Sequence, residues 1–447
     1  MKALVLSHAH PAFSIGGAQV ASYNLFQGLK RQKGWESHYL AGVAPPVARH
    51  GATPLMSLGQ GPDETLYWSN DFDWFYLATR NLKDLADHFE RFLVDLQPDV
   101  VNFHHVMGFG AQAIHSVRRA LGDVPIIFTL HEYLPICANH GQMIKAKTGA
   151  LCSKSSPADC GVCFPDIGPA NLKRREVYLK NAFDQVDAFV SPSRFLLERY
   201  AAWGLPEKKL VMIENGLEGG APTPARAVNG PKDRRNRFAY FGQLNPFKGV
   251  KVLMSAVARI PADVWGSDSI LYVYGGNLEH QPEDFQQEMK ALFRQVGGRV
   301  RFMGSYKSED IPRIMRNVDW TIVPSTWWEN SPVVIQEAFF HGRPIIASDI
   351  GGMAEKILDG VDGLHFNVSS VESLAEKMAL AIRSPDLWRR LRARIAAPCT
   401  ADEAARQHVG VFERLLARRE TARAGRSHHA GAEGAGAEGA WPGSAAA

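Results

Sequence analysis

The sequence predicts an α/β protein built from two doubly wound, parallel-stranded domains that face each other across a cleft. Three observations predict it. Short β-branched runs alternate with longer helical patterns through the first half, a charged Pro- and Gly-rich stretch then interrupts the alternation, and a second series of the same kind follows. Parallel strands covered on both faces read as near-continuous apolar runs, and sheets of this type bind ligands at the carboxyl ends of their strands. The expected ligand position is therefore the cleft between two Rossmann-like units.

Taken in order, "ALVL", "DVVNF", "PIIFTL", "DAFVS" and "KLVMI" read as buried strands of a first domain, residues 1–217, with "GAQVASYNLFQGLKRQ" and "SRFLLERYAAWG" as helices between them. "EGGAPTPARAVNGPKDRRN", residues 218–236, reads as the linker. "RFAYFG", "ILYVYGG", "VRFMG", "WTIVP", "RPIIAS" and "LHF" supply the second domain, residues 237–395. Residues 396–420 read as a closing helix that returns toward the first domain, and the Ala/Gly-rich stretch 421–447 as a disordered tail.

Composition bounds the function. The chain has 447 residues, 45% hydrophobic and 21% charged, with a formal net charge of +4, which is ordinary soluble-globular composition and too weak a bias to imply nucleic acid. The start "MKALVLSHAHP" has too short an apolar run for a secretion signal, and no later segment is apolar for the ~18 residues a span requires. The expectation is a cytoplasmic protein, at most peripheral at the membrane face.

The chemistry concentrates in "TWWENSPVVIQEAFFHGRPIIASDIGG", residues 326–352. Ser331 is placed to cap a helix, Pro332 suits its first position, Val333 follows in the first turn, and Gly342 supplies a left-handed stop, giving about three turns. Glu329 then precedes the helix, and Glu337 tilts back toward its N-terminus. Unpaired N–H groups and the positive dipole end make the same volume attractive to phosphate. A sugar phosphate meets both demands, while a solvated Glu337 with Glu329 merely favouring the dipole is the plainer alternative.

Other stretches converge on the cleft. Gly16 and Gly17 in "SIGGAQ" follow the first strand and allow close backbone approach, or serve a plain turn; they do not form the G-x-G-x-x-G of a nicotinamide-dinucleotide site. Lys248 in "FGQLNPFKG" sits at a strand-to-helix junction, as a point charge for a diphosphate or as a solvated helix start. His131 leaves a strand end in "PIIFTLHEY", suited to hydrogen-bond a sugar hydroxyl, to move a proton, or to a structural role; His104 and His105 share the ambiguity. Cys137, Cys152, Cys160 and Cys163 fall within 27 residues and end in C-x-x-C, while Cys399 stands apart. The cluster reads either as a structural Zn²⁺ site or as free buried thiols. No Asp-x-Asp motif is placed to hold a metal against a sugar diphosphate. In "NLKRREVYLKNAFDQ", residues 171–185, a basic face lies beside Leu172, Val177, Leu179 and Phe183, a pattern for an anionic bilayer or for an ordinary surface helix.

Together these stretches resemble the retaining, metal-independent glycosyltransferases of family 4 (glycosyl transferases group 1), of the GT-B fold, over about residues 1–415. "ENSPVVIQE" is similar to that family's E-x7-E motif, "GRPIIASDIGGMAEKILDGVDGLHF" to the segment after it, "IENGLE" to its asparagine-glycine junction, "VSPSRFLLERY" to the helix before that junction, and "SIGGAQ" to its glycine loop. The resemblance implies transfer of a sugar from a nucleotide-diphosphate donor to a hydroxyl acceptor, a glycan or lipid-linked intermediate, with no cofactor required for catalysis. It implies that Glu337 binds ribose, that Glu329 and His131 flank the donor sugar, and that Asn330 and Ser331, with Pro332 and Val333, hold sugar and diphosphate. Lys248 would hold the diphosphate and Gly16 and Gly17 approach it from the other domain. Gln243 stands where the family usually has Arg, removing a fixed charge from the phosphate clamp. The cysteine-bearing insertion 137–163 resembles that of bacterial members acting on cell-surface polysaccharides. Alternatives are a nucleotide-sugar epimerase, a glycosidase using two carboxylates, and a non-catalytic glycan- or nucleotide-binding protein.

Overall fold

The computed structural model describes residues 1–434 apart from Ile15, His50, Gln60 and 229–233, with side chains in the last helix described as far as Ala424. The first domain is built on β1 (Lys2–Ser7), β2 (Glu36–Val43), β3 (Leu55–Ser57), β4 (Glu64–Trp68), β5 (Val100–Phe103), β6 (Ile126–Thr129), β7 (Ala188–Ser191) and β8 (Leu210–Met212). Their order across the sheet is β8-β7-β6-β5-β1-β2-β4-β3, parallel except for the antiparallel edge β3. The second is built on β9 (Arg237–Phe241), β10 (Ile270–Tyr274), β11 (Val300–Gly304), β12 (Trp320–Val323), β13 (Ile345–Ser348) and β14 (Gly363–Phe366), ordered β11-β10-β9-β12-β13-β14 and parallel throughout.

Both orders reverse direction beside the first strand of the domain, between β1 and β5 and between β9 and β12. Such a reversal opens a crevice at the carboxyl ends of the strands, because the two flanking connections leave toward opposite faces. β1, β5, β6, β12 and β13 are buried almost end to end, as strands covered on both faces must be. Each sheet carries an apolar core on either face.

Several helices position the site: α1 (Gly17–Lys30), α2 (Pro157–Cys163), α3 (Gly168–Asp184), α4 (Arg194–Trp203), α5 (Val333–Phe340), α6 (Gly351–Lys356) and α7 (Ala401–Gly434). The chain passes between the domains twice, and the two passages pair with each other: Leu217 N–H donates to Cys399 O and Ala401 N–H to Leu217 O. α7 then lies along α1, where Trp35 and Phe412 meet with ring centroids 5.5 Å apart and Ala405 and Phe412 join the core under β1 and β2. The expected tail 421–447 begins differently: backbone helix runs on to Gly434, and 435–447 lie outside the described residues. Among the described residues no helix is long and apolar enough to cross a membrane.

Candidate active site

The loop after β12 and helix α5 carry the two glutamates, but the helix begins later than the sequence suggests. Val333 is its first residue and Pro332 its N-cap, with no side-chain cap, so eight residues make just over two turns before Gly342 turns left-handed at φ 64°. Ser331 does not cap because its hydroxyl donates across the cleft to Glu214 Oε1 at 2.8 Å. The first N–H groups of α5 thus face the cleft without a side-chain acceptor.

Glu329 is buried and held through one of its carboxylate oxygens. It accepts from Lys248 Nζ at 2.6 Å, Ser325 Oγ at 2.8 Å and Trp327 Nε1 at 3.0 Å, all on one carboxylate oxygen. Burial pushes its acidity upward, but the Lys248 ammonium and the three donors outweigh it and hold the carboxyl below its usual range. Glu337 is the opposite: among the described residues no donor reaches its carboxylate, and burial alone pushes it up to about 7. Its charge is felt by the half-buried Tyr306, whose own acidity burial has already weakened.

Lys248 ends a one-turn 3₁₀ helix, Pro246–Lys248, capped by Asn245. Gly249 follows at φ 69°, and a side chain there would run into Pro324 O, so the turn that aims Lys248 at Glu329 needs glycine on both counts. Gly352 has the same role on the far side, where a side chain would strike Asn330 O while its N–H donates to Glu329 O at 2.7 Å. Gln243 is exposed; its backbone O accepts from the Tyr240 hydroxyl at 2.7 Å and its side-chain Oε1 from Asn245 Nδ2 at 3.4 Å, so among the described residues no cation replaces the family's Arg at that position.

The other half of the site comes from the first domain. His131, past the end of β6, has Nε2 at 2.8 Å from Nδ1 of His104, with the two rings stacked 5.0 Å apart. Burial, then the neighbouring His105 and His408, hold His131 down to about 3, so it is neutral at physiological pH and cannot serve there as a cationic acid. His105 Nε2 faces Glu132 Oε1 at 3.3 Å. Gly16 is the N-cap of α1, and the open side of Gly17 faces Val333, whose methyl would lie 3.7 Å from an added Cβ. The glycine loop therefore meets α5 across the cleft.

Asn330, expected at the donor, and three residues that sequence reasoning passed over, Glu214, Glu355 and Lys356, hold these halves together. Asn330 accepts from Ser193 Oγ and donates to His131 O at 3.2 Å. Glu214, in the quoted "IENGLE", receives Ser331, Gln336 Nε2 at 3.3 Å and the Lys356 ammonium, which also donates to Pro192 O at 2.8 Å. Glu355 accepts the N–H groups of Arg194 and Phe195, both at 2.9 Å, and so caps α4 from the opposite domain. The signal was present: Glu214 precedes the Asn-Gly pair, and Glu355-Lys356 lies within the segment that follows the E-x7-E motif, at the end of α6. Nothing in one sequence says they meet.

Two expectations are corrected. The four insertion cysteines are free thiols around one cavity of about 20 Å³. Even so, among the described residues no three His, Cys, Asp or Glu side chains are gathered as metal ligands; Cys152 Sγ turns away to donate to Lys154 O at 3.1 Å, and burial keeps the thiols of Cys137 and Cys160 protonated. The helix over 171–185, α3, presents no apolar membrane face, because Leu172, Leu179 and Phe183 are buried and only Val177 is exposed. Its Arg175 is buried too, donating to Phe75 O, Pro135 O and Leu134 O. The chain does contain one Asp-x-Asp, Asp71-Phe72-Asp73, and both its carboxylates face Arg80, at 3.5 and 3.6 Å.

Two doubly wound domains with this strand order and a shared cleft define the GT-B architecture. Comparison with known proteins agrees: residues 15–218 match the model of Glycosyltransferase Family 4 and residues 223–397 that of Glycosyl transferases group 1. The chain belongs to the GT-B glycosyltransferases of family 4. A D-inositol 3-phosphate glycosyltransferase of Mycobacterium sp. (strain KMS) is 28% identical over 301 residues, 65% of this chain and 61% of that protein, so the match spans about three-fifths of that relative's length. Among solved structures, the sucrose-phosphate synthase of Thermosynechococcus elongatus superposes with a TM-score of 0.68 at 17% identity, covering 94% of this chain and all of the other. Anabaena HepE in complex with UDP superposes at 0.62 and 17% identity, covering 92% and 100%.

Proposed function

We propose that the protein transfers a sugar from a nucleotide-diphosphate sugar to a hydroxyl acceptor, with retention and without a metal. The observation that carries this reading is Glu337: a carboxylate in the cleft to which, among the described residues, no protein group donates is suited to two ribose hydroxyls, which would supply those donors. The diphosphate belongs at the open N-terminus of α5 beside Lys248, and the transferred sugar between Glu329 and His131. Gly16 and Gly17 would close on the donor from the first domain. Of the nucleotides, uridine diphosphate is the first choice, on the likeness to a protein solved with UDP.

The chemistry is then positioning and charge stabilisation. The bond from the anomeric carbon to the diphosphate oxygen breaks, the acceptor oxygen bonds to the same face, and the acceptor proton passes to the departing phosphate oxygen. Lys248 and the helix end stabilise the charge that develops there. Glu329 already accepts three donors, so its role is to hold Lys248 and the rim of the sugar pocket, not to form a covalent bond. The acceptor is a glycan or a lipid-linked intermediate approaching from the first domain. Peripheral membrane contact would rest on Val177, Lys173 and Arg174 alone, and co-sedimentation with anionic vesicles tests it.

A thermal-shift screen against UDP, GDP, ADP, CMP, dTDP and their sugar conjugates in EDTA tests the reading. A nucleotide that raises the melting temperature of the wild type but not of Glu337→Ala supports it. No shift with any nucleotide overturns it in favour of a glycan-binding protein on the same fold, while conversion of the donor sugar without an acceptor would favour an epimerase.

A further inference from the structure

Three buried side chains lead to His131 from behind. Thr129 Oγ1 donates to Asn102 Oδ1 at 3.0 Å, Asn102 Nδ2 lies 3.4 Å from His104 Nε2, and His104 Nδ1 lies 2.8 Å from His131 Nε2. Thr129, Asn102 and His104 are each no more than 3% exposed. The orientation of one amide sets the order of donors along such a chain. Asn102 turns Oδ1 toward the Thr129 hydroxyl and Nδ2 toward His104, and in that orientation the amide nitrogen can only donate, so His104 Nε2 accepts. A neutral imidazole has a single N–H, which then sits on His104 Nδ1 and donates to His131 Nε2. His131 in turn must carry its proton on Nδ1. Burial holds both rings neutral, so the order is not scrambled by a second proton.

We propose that Asn102 and His104 are positioning residues that lock His131 in its Nδ1–H form and so give the cleft an N–H donor of fixed direction. Among the described residues nothing accepts from His131 Nδ1. The ligand atom that meets it must offer a lone pair, either a hydroxyl oxygen of the transferred sugar or a phosphate oxygen. The lock selects against a ligand group that can only donate there, and it removes His131 from the candidates for proton acceptor at neutral pH. What the N–H meets rests on the sugar-transfer reading above; the tautomer itself does not.

The test uses the full chain labelled with ¹⁵N in histidine and long-range ¹H–¹⁵N correlation at pH 7, with His131→Gln identifying the signals. The expected result is a protonated, pyrrole-type Nδ1 and an unprotonated, pyridine-type Nε2 for His131. Asn102→Asp replaces the donor by an acceptor of the same shape and turns the chain round, so the His131 proton moves to Nε2. Turnover of the nucleotide sugar that stabilises the protein, starting with UDP-glucose, is expected to fall about tenfold or more in kcat while the nucleotide-induced thermal shift remains. Where that variant does not fold, Asn102→Leu serves, with both tautomers populated at His131. A wild-type His131 protonated on Nε2 or on both nitrogens overturns the proposal, as does an Asn102→Asp enzyme with reversed tautomer and unchanged kcat. Failure of every nucleotide to stabilise the protein instead removes the donor reading, and the tautomer measurement still decides the lock.

Discussion

Glu329 and Glu337 stand eight residues apart on the same loop and helix, and their surroundings are opposite. Glu329 is a finished ion pair, held by Lys248, Ser325 and Trp327. Glu337 is half-buried, and among the described residues no protein group donates to its carboxylate. The difference separates scaffold from recognition: a carboxylate already satisfied by the protein shapes the pocket, whereas one left unsatisfied destabilises the free protein and gains most from a ligand with hydroxyls.

The largest effect that would break this contrast is at Glu337. Its folded acidity is raised from 4.5 to about 7, so between those values the native state holds a proton that the unfolded chain has lost, and stability falls as pH rises across that window. Above pH 7 the cost is complete, about 3 kcal/mol at most. Glu337→Gln should therefore flatten the slope between pH 5 and 7.5 in urea titrations, leave the free protein more stable than wild type at pH 7.5, and abolish the nucleotide-induced thermal shift. Equal pH slopes in the two proteins would show that Glu337 has a partner after all.

Next in size is the pair beside it. Lys248→Met strands the Glu329 carboxylate in a buried site and should cost about 2–3 kcal/mol, discounted from a fully buried pair because Lys248 is 29% exposed. Adding Glu329→Gln to that variant should restore at least half of the loss, measured by urea midpoint, since the stranded charge is then gone. Without recovery, the ion pair is not what Glu329 contributes. A smaller effect tests the link between domains: Glu214→Gln keeps the shape but takes the counter-charge from Lys356 and weakens the acceptor for Ser331, and is expected to cost about 1 kcal/mol. It should also raise the donor KM more than it lowers kcat.

How much of this could be read beforehand follows from where the determinants lie. The second domain was legible because "WTIVP" and "RPIIAS" are uninterrupted apolar runs, and the two glutamates because a proline and a glycine bracket their helix. β2 and β4 were not, since "ESHYLAGV" and "ETLYW" bury His38, Ser37 and Glu64 and so break the apolar run on which strand recognition depends. The cap assigned to Ser331 failed for a related reason: local preference favours a serine there, but a carboxylate from the other domain, 117 positions earlier, competes for its hydroxyl. Spacing brought the four cysteines to one cavity, yet it carries no information on where each Sγ points. The pairing of Asn102, His104 and His131 depends on the register of β5 against β6, in which Asn102 lies beside Ile127, and register is a property of the folded sheet.

The smallest effect addresses the one departure from the family pattern at this site. Gln243 is exposed, its side chain accepts only from Asn245 among the described residues, and it stands two residues before the cap of the turn that carries Lys248. Gln243→Arg restores a fixed charge without disturbing a buried contact, so the stability of the free protein should stay within about 0.5 kcal/mol of wild type. A partly exposed cation facing a diphosphate is worth about 0.5–1 kcal/mol at low salt, or a two- to fivefold tighter nucleotide Kd by calorimetry, and the gain should fade as ionic strength rises. Glu329 accounts for why the gain stays small: Lys248 is already neutralised by that carboxylate in the free protein, so the added arginine would be the first uncompensated cation the phosphates meet and cannot draw on a preformed cluster. A gain of tenfold or more that survives high salt would mean that the charge is buried on binding, and that the cleft closes over position 243 when the donor enters.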